Sequence, residues 1–191
     1  DEYIEISDDQ NINKRSKNKY RKKPHLINLF YVGYFFGIGF FLTGTHWISN
    51  SLQFDESFKN LIPVTIVLLP LVLGLFYGLG SLVCARYLKF ELSSILFFCA
   101  SISVVDYVRA KVLTGFPWNL WAYSWSWFTE IIQVLNPIGV FAFNLLAITL
   151  YCSPAILFCK KSKYNFLFLT ICSALFLTNY LYGNYTINNN R

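Results

Sequence analysis

The sequence predicts an all-α, polytopic membrane protein: a bundle of about five transmembrane helices with a re-entrant aromatic loop. Three observations lead there. Of its residues only 14% are charged, 55% are hydrophobic, and mean hydropathy is +0.43, whereas a soluble domain carries about 25% charged residues. Asp, Glu, Lys and Arg are absent from 24–54, 60–85, 92–105, 112–129, 131–159 and 164–190. Most of these stretches reach the ~20 apolar residues that cross ~30 Å of hydrocarbon as a helix. Finally, the basic residues gather at alternate ends of the apolar stretches, as topology in a membrane requires.

Residues 1–25 form a polar segment, acidic at Asp1, Glu2, Glu5, Asp8 and Asp9 and basic at Lys14, Arg15, Lys17, Lys19, Arg21, Lys22 and Lys23. With little apolar periodicity it is expected to be disordered and cytoplasmic, its cations near anionic headgroups. The spans follow at about 26–50, 61–85, 91–110, 130–158 and 164–183. Pro63 and Pro70 fall in the second, and Asn136-Pro137 and Pro154 interrupt the fourth. Prolines are tolerated where neighbouring helices satisfy the freed carbonyls. Gly74 and Gly78 have small-xxx-small spacing, and Gly33, Gly37 and Gly44 lie near one face of the first span, so close helix contacts are expected at both places.

Orientation follows from the loops. Twelve Lys and Arg lie on the side of the N-terminus, within 1–27, 86–89 and 160–163, and four (Lys59, Arg109, Lys111, Arg191) on the other. The positive-inside rule therefore puts the N-terminus in the cytoplasm and the C-terminus across the membrane. All five tryptophans, Trp47, Trp118, Trp121, Trp125 and Trp127, fall at the expected outer ends, where an indole keeps its ring apolar and its N–H wet.

Soluble-type chemistry is poorly represented. His25 and His46 are the only histidines, no metal-ligand spacing occurs, and no glycine loop is placed to cradle a phosphate, so neither metal nor cofactor is expected. The net charge of +6 resides largely in the N-terminal run, beside a membrane span and not on a base-reading element, which argues against nucleic acid. Cys84, Cys99, Cys152, Cys159 and Cys172 are scattered in apolar runs without CxxC pairing and read as small buried hydrophobes, not nucleophiles. The sequence contains no methionine and begins at Asp1, so a fragment or truncation is expected.

Chemistry concentrates in Asp106 to Asn119. Asp106 and Arg109, three residues apart, share a helix face and can neutralise each other near the outer boundary, either as a structural ion pair or as part of a site. Gly115, Phe116, Pro117 and Trp118 then break the helix, because Pro disfavours helical geometry at the residue before it and Gly permits a turn. This stretch reads either as an aromatic-belt loop or as a re-entrant segment lining a cavity. His46, Trp47 and Ser49 are expected at the same outer surface.

These segments resemble the membrane domain of bacterial apolipoprotein N-acyltransferase. The glycine-rich helix ending in a Trp-Ile-x-x-Ser-like stretch is similar to Gly37–Ser51. An acidic-x-x-Arg followed by Thr-Gly-Phe-Pro-Trp matches Asp106–Trp118, with Asp106 where the family usually has Glu. The resemblance implies fatty acyl transfer from a phospholipid donor to the α-amino group of a diacylated lipoprotein, at the outer face of the bacterial inner (plasma) membrane. It also implies a multi-pass protein with a periplasmic C-terminus. The family's Glu-Lys-Cys chemistry resides in a following nitrilase-like domain, so no catalytic residue is assigned here. By resemblance, 26–185 is the transmembrane helical domain and 186–191 the start of a missing periplasmic domain. A groove between spans one, three and four would admit acyl chains, with Trp47, Asp106, Arg109, Gly115, Phe116, Pro117 and Trp118 as lipid or substrate-cavity candidates and Arg109 placed to meet a phosphate. Alone, the chain is expected to be inactive, with a separately encoded catalytic half as a possible partner. Two other readings stand beside this one: a small multi-span transporter or channel subunit, and a non-catalytic remnant.

Overall fold

The computed structural model describes residues 3–5, 20–22, 26–54, 56–89, 91–112 and 117–189. Two short strands, β1 (Tyr3–Glu5) and β2 (Tyr20–Lys22), pair antiparallel with Ile4 opposite Arg21. The rest of the segment expected to be disordered lies outside the described residues. Helices follow in the order α1 (Leu26–Thr45), α2 (Ile48–Ser51), α3 (Ile62–Ala85), α4 (Leu92–Lys111), α5 (Thr129–Ile132), α6 (Leu135–Cys152) and α7 (Lys163–Asn189). Single 3-10 turns cover Glu56–Leu61, Trp121–Trp125 and Ser153–Phe158.

Among the described residues five helices are long and apolar enough to cross a membrane, α1, α3, α4, α6 and α7, with the adjoining 3-10 turns extending the second and fourth. Their outward surface is apolar: Val32 is 67% exposed and Phe166 77%. Such a surface has hydrocarbon, not water, as its natural solvent. Hydroxyls on the spans turn back onto their own helix, as Thr45 Oγ1 does to the Phe41 carbonyl at 2.6 Å and Thr149 Oγ1 to Leu145 at 2.7 Å. That leaves no polar group facing lipid at those positions.

The tightest pairing joins α1 and α3, and glycine makes it possible. A Cβ on Gly37 would press on the Gly74 backbone, one on Gly33 on Ser81, and one on Gly78 on the Phe30 ring. The two helices are therefore antiparallel and in close contact at Gly33 and Gly37 of one expected row and Gly74 and Gly78 of the other, whereas Gly44 faces Asn119. Between α3 and α4, Gly80 admits Val105. The interior is formed by Phe41, Leu73, Tyr77, Cys99, Ile102 and Ile148 from four helices.

Several boundaries differ from the expected ones for local reasons. The first span stops at Thr45 because side chains that follow take its last carbonyls: the His46 ring nitrogen Nδ1 lies 2.7 Å from the Thr43 oxygen, and Trp47 Nε1 donates to Gly44 at 3.1 Å. The break in the fourth span falls at Gly139, where φ is +77° and ψ 166°, a region open essentially to glycine alone. The fifth helix continues through Gly183 to Asn189, past the expected end of the span at 183. Within it Gly183 lies against the Glu130 carbonyl of α5, where any side chain would collide.

Candidate functional site

Asp106 and Arg109 stand one turn apart near the end of α4, and both are fully buried. Arg109 Nη2 donates to Asp106 Oδ1 at 3.2 Å. The carboxylate is then completed by other helices: the Tyr77 hydroxyl of α3 donates to Oδ1 at 3.2 Å and Asn144 Nδ2 of α6 to Oδ2 at 2.9 Å. Trp121 Nε1 donates to the Tyr77 hydroxyl at 2.8 Å, and the Ala122 backbone N–H to Asn144 Oδ1 at 3.1 Å. Polar groups from α3, α4, α6 and the 3-10 turn thus satisfy one another in a region that water does not reach. Each of these bonds offsets part of the cost of burying the ion pair.

The guanidinium also reaches the aromatic segment. Arg109 Nη1 donates to the Trp118 carbonyl at 2.9 Å, and its carbon lies 5.0 Å from the centre of the Phe41 ring of α1. Arg109, expected near headgroup level, is instead fully buried. Its charge is spent inside the bundle, on a carboxylate, a backbone carbonyl and a ring. Removing Arg109 from the loop count leaves three basic residues on that side of the chain against twelve on the other, which strengthens the asymmetry.

Trp118, 44% exposed, stacks on Trp47, 43% exposed, with ring centres 4.9 Å apart. Sequence reasoning placed these two at one surface, and the structure brings them into contact. Pro117 beside them is half-buried, whereas Gly115 and Phe116 lie outside the described residues. Asn119 holds the segment to α1: its backbone is left-handed, at φ 56°, its amide donates to the Phe40 carbonyl at 3.2 Å, and its side chain occupies the space that a Gly44 side chain would fill. From there the chain turns inward. Leu120 and Ala122 are buried, and Trp121 stacks on Phe40 at 4.6 Å.

This inward turn corrects the reading of all five tryptophans as a wet-edged belt. Trp121 gives its N–H to the buried network, and Trp125 Nε1 is itself buried. Phe41, Arg109 and Asn144, from α1, α4 and α6, are each fully buried. Sequence reasoning missed Tyr77, Asn144 and Trp121 as members of the cluster. Asn144 carried a signal, as an amide well inside a long charge-free run. Tyr77 carried none, since a tyrosine in an apolar helix reads as bulk.

Among the described residues no group of three His, Cys, Asp or Glu is placed to hold a metal. The described cysteines are free, with Cys84, Cys99 and Cys172 buried as expected. At the opposite end of the bundle Cys159 follows the fourth span, and its thiol is pushed up by burial and secondarily by the Glu91 carboxylate. The loops after the second and fourth spans therefore share one end, as alternate loops must.

Comparison with known proteins gives a consistent picture. Residues 20–153 match the family described as "Apolipoprotein N-acyltransferase N-terminal domain". Apolipoprotein N-acyltransferase of Allorhizobium ampelinum is 32% identical over 165 residues, which cover 85% of this chain and 31% of the relative. The Rhizobium meliloti protein is 29% identical over 157 residues (82% and 29%), and that of Rhodopseudomonas palustris 32% over 126 residues (65% and 24%). The chain thus spans 31% or less of the length of these three relatives. No solved structure matches it. With the match extending from the start of the first span through α6, including both the Asp106–Arg109 pair and the Trp118 segment, this membrane protein belongs to the apolipoprotein N-acyltransferase N-terminal domain family.

Proposed function

We propose that this chain forms the membrane platform of an apolipoprotein N-acyltransferase, the part that positions a phospholipid acyl donor and a diacylated lipoprotein for transfer of a fatty acyl chain to the lipoprotein's amino terminus. One observation carries the reading: the buried Asp106–Arg109 pair grips the Trp118 carbonyl and so fixes an exposed Trp47–Trp118 stack at the end of the bundle. A rigid aromatic shelf at a helix end suits the boundary between acyl chains and headgroups, where indoles partition.

Within this reading Asp106 and Arg109 are positioning residues. Trp47, Pro117 and Trp118 form the surface that meets lipid, and by resemblance Gly115 and Phe116 are its further candidates. The chain places its N-terminus in the cytoplasm and its C-terminus across a bacterial inner membrane; what supports this is the excess of Lys and Arg on the N-terminal side. The nucleophile is supplied by a nitrilase-like catalytic half and by none of the cysteines named above, three of which are buried among apolar side chains.

The test joins this chain to the remaining, C-terminal part of the Rhizobium meliloti relative and follows N-acylation of a diacylglyceryl peptide in vesicles containing radiolabelled phospholipid. The fusion is expected to transfer label, Trp118→Ala to reduce transfer, and the chain alone to acquire no covalent acyl group. An acyl thioester on the isolated chain would overturn the division of labour. A correctly inserted fusion that transfers nothing would overturn the platform reading itself.

A further inference from the structure

The last turn of α1 holds both indoles of the exposed stack, and one glycine serves the two. Trp47 Nε1 donates back to the Gly44 carbonyl at 3.1 Å. The Asn119 side chain fills the space that a Cβ on Gly44 would need, and its Nδ2 donates to the Phe40 carbonyl at 3.2 Å. Asn119 directly follows Trp118, whose own carbonyl is taken by Arg109 Nη1 at 2.9 Å. The backbone at Trp118 is thus tied from two directions, to α4 through Arg109 and to α1 through Asn119. A single bond to Arg109 allows the segment to pivot about it; a second bond, to a different helix, removes that freedom. The Trp118 ring is thereby laid on Trp47, with ring centres 4.9 Å apart.

Position 119 makes three demands. Its backbone is left-handed, at φ 56°, a conformation that asparagine and glycine adopt more readily than most residues. A donor is needed opposite the Phe40 carbonyl; glycine has none, and an ionised aspartate offers only acceptors. The side chain must also be short enough to lie flat on the Gly44 backbone. Asparagine meets all three. We infer that Asn119, seated on Gly44, is a positioning residue for the Trp47–Trp118 shelf: it fixes one indole over the other and so sets the affinity for the phospholipid acyl donor, without entering the chemistry. The donor is the substrate concerned because both rings stand exposed at the end of a lipid-facing helix. The step from shelf to donor rests on the platform reading, whereas the step from Asn119 to the shelf does not.

Two readouts test this. The full chain in detergent is followed by far-ultraviolet circular dichroism, in which stacked indoles give an exciton couplet, assigned here as the signal that Trp118→Phe removes. Asn119→Asp keeps the size and the left-handed preference but sets an oxygen against the Phe40 carbonyl, and is expected to abolish the couplet. Gly44→Ala, which puts a methyl where the amide sits, is expected to do the same from the α1 side. In the fusion with the Rhizobium meliloti C-terminal part, Asn119→Asp should raise the KM for phospholipid about fivefold, the scale of one average hydrogen bond, and leave kcat unchanged. A couplet that survives both substitutions overturns the inference, as does a lost couplet with an unaltered KM, or a fall in kcat alone. If the fusion of native sequence transfers nothing, the platform reading fails while the couplet still decides whether Asn119 sets the shelf. Where Asn119→Asp does not fold, Asn119→Gly, which accepts the left-handed backbone and lacks only the amide, gives the same two readings.

Discussion

Because Asp106 and Arg109 are both fully buried and touch four structural elements between them, their removal singly and together gives the sharpest test of how the bundle is held. Arg109→Leu leaves a carboxylate with two donors, Tyr77 and Asn144, and no cation. Asp106→Leu does more harm: it takes the carboxylate from the guanidinium and also orphans the Tyr77 and Asn144 donors. Breaking a buried pair from one side costs about 3–5 kcal/mol, whereas replacing both charges by apolar groups is often close to neutral. Asp106→Leu should sit at the top of that range or above it, since each orphaned donor adds about 1 kcal/mol or more. Arg109→Leu should fall near its lower end. The double variant should be less damaging than Asp106→Leu alone, with a coupling energy of at least ~2 kcal/mol between the sites. Unfolding of the four proteins in bicelles, followed by Trp fluorescence and by steric trapping, measures the cycle. Additive effects, within about 0.5 kcal/mol, would refute the argument that the two charges are retained in the bundle only because each neutralises the other.

Three further outcomes follow from the geometry. Gly37→Ile should separate α1 from α3 and destabilise the bundle by about 1–3 kcal/mol, as overpacking does, because the new Cβ meets the Gly74 backbone and not a movable side chain; thermal unfolding in detergent reads this, and Gly39→Ile, where open space surrounds the Cβ, is the control. Gly139→Ala should cost about 1–3 kcal/mol through backbone strain alone, since nothing lies within 4 Å of the added methyl; an unchanged melting temperature would show that the fourth span can straighten. Trp121→Phe retains stacking on Phe40 but removes the donor to Tyr77 at 2.8 Å, so about 0.5–1.5 kcal/mol should be lost, measured by the same unfolding assay.

Which features were legible in the sequence follows a physical pattern. The five spans were legible because a helix is the only local solution for a long charge-free run in hydrocarbon, and the requirement acts on the run itself. The glycine rows of α1 and α3 were legible because small residues at i and i+4 align on one face whatever they meet. Boundaries were less so, since the stop at Thr45 depends on His46 and Trp47, whose side chains fold back onto the last carbonyls. For the candidate site, the Asp106–Arg109 pair and the meeting of Trp47 with Trp118 could be anticipated. The depth of the pair could not, because three-residue spacing brings two charges together without saying whether water or protein surrounds them.

By itself, then, the sequence determined what must be true of each segment alone: length, apolarity, spacing along a helix face, and an uneven distribution of basic residues. The tertiary structure decided the partners. It brought Tyr77, Asn144 and Trp121, separated by up to 67 residues, around one carboxylate. It turned Arg109 inward to clamp the Trp118 carbonyl, and it seated the Asn119 side chain on Gly44 of α1. The physical reason is that membrane helices are specified one at a time by the solvent around them, whereas a buried polar group is specified by whichever element is placed to satisfy it.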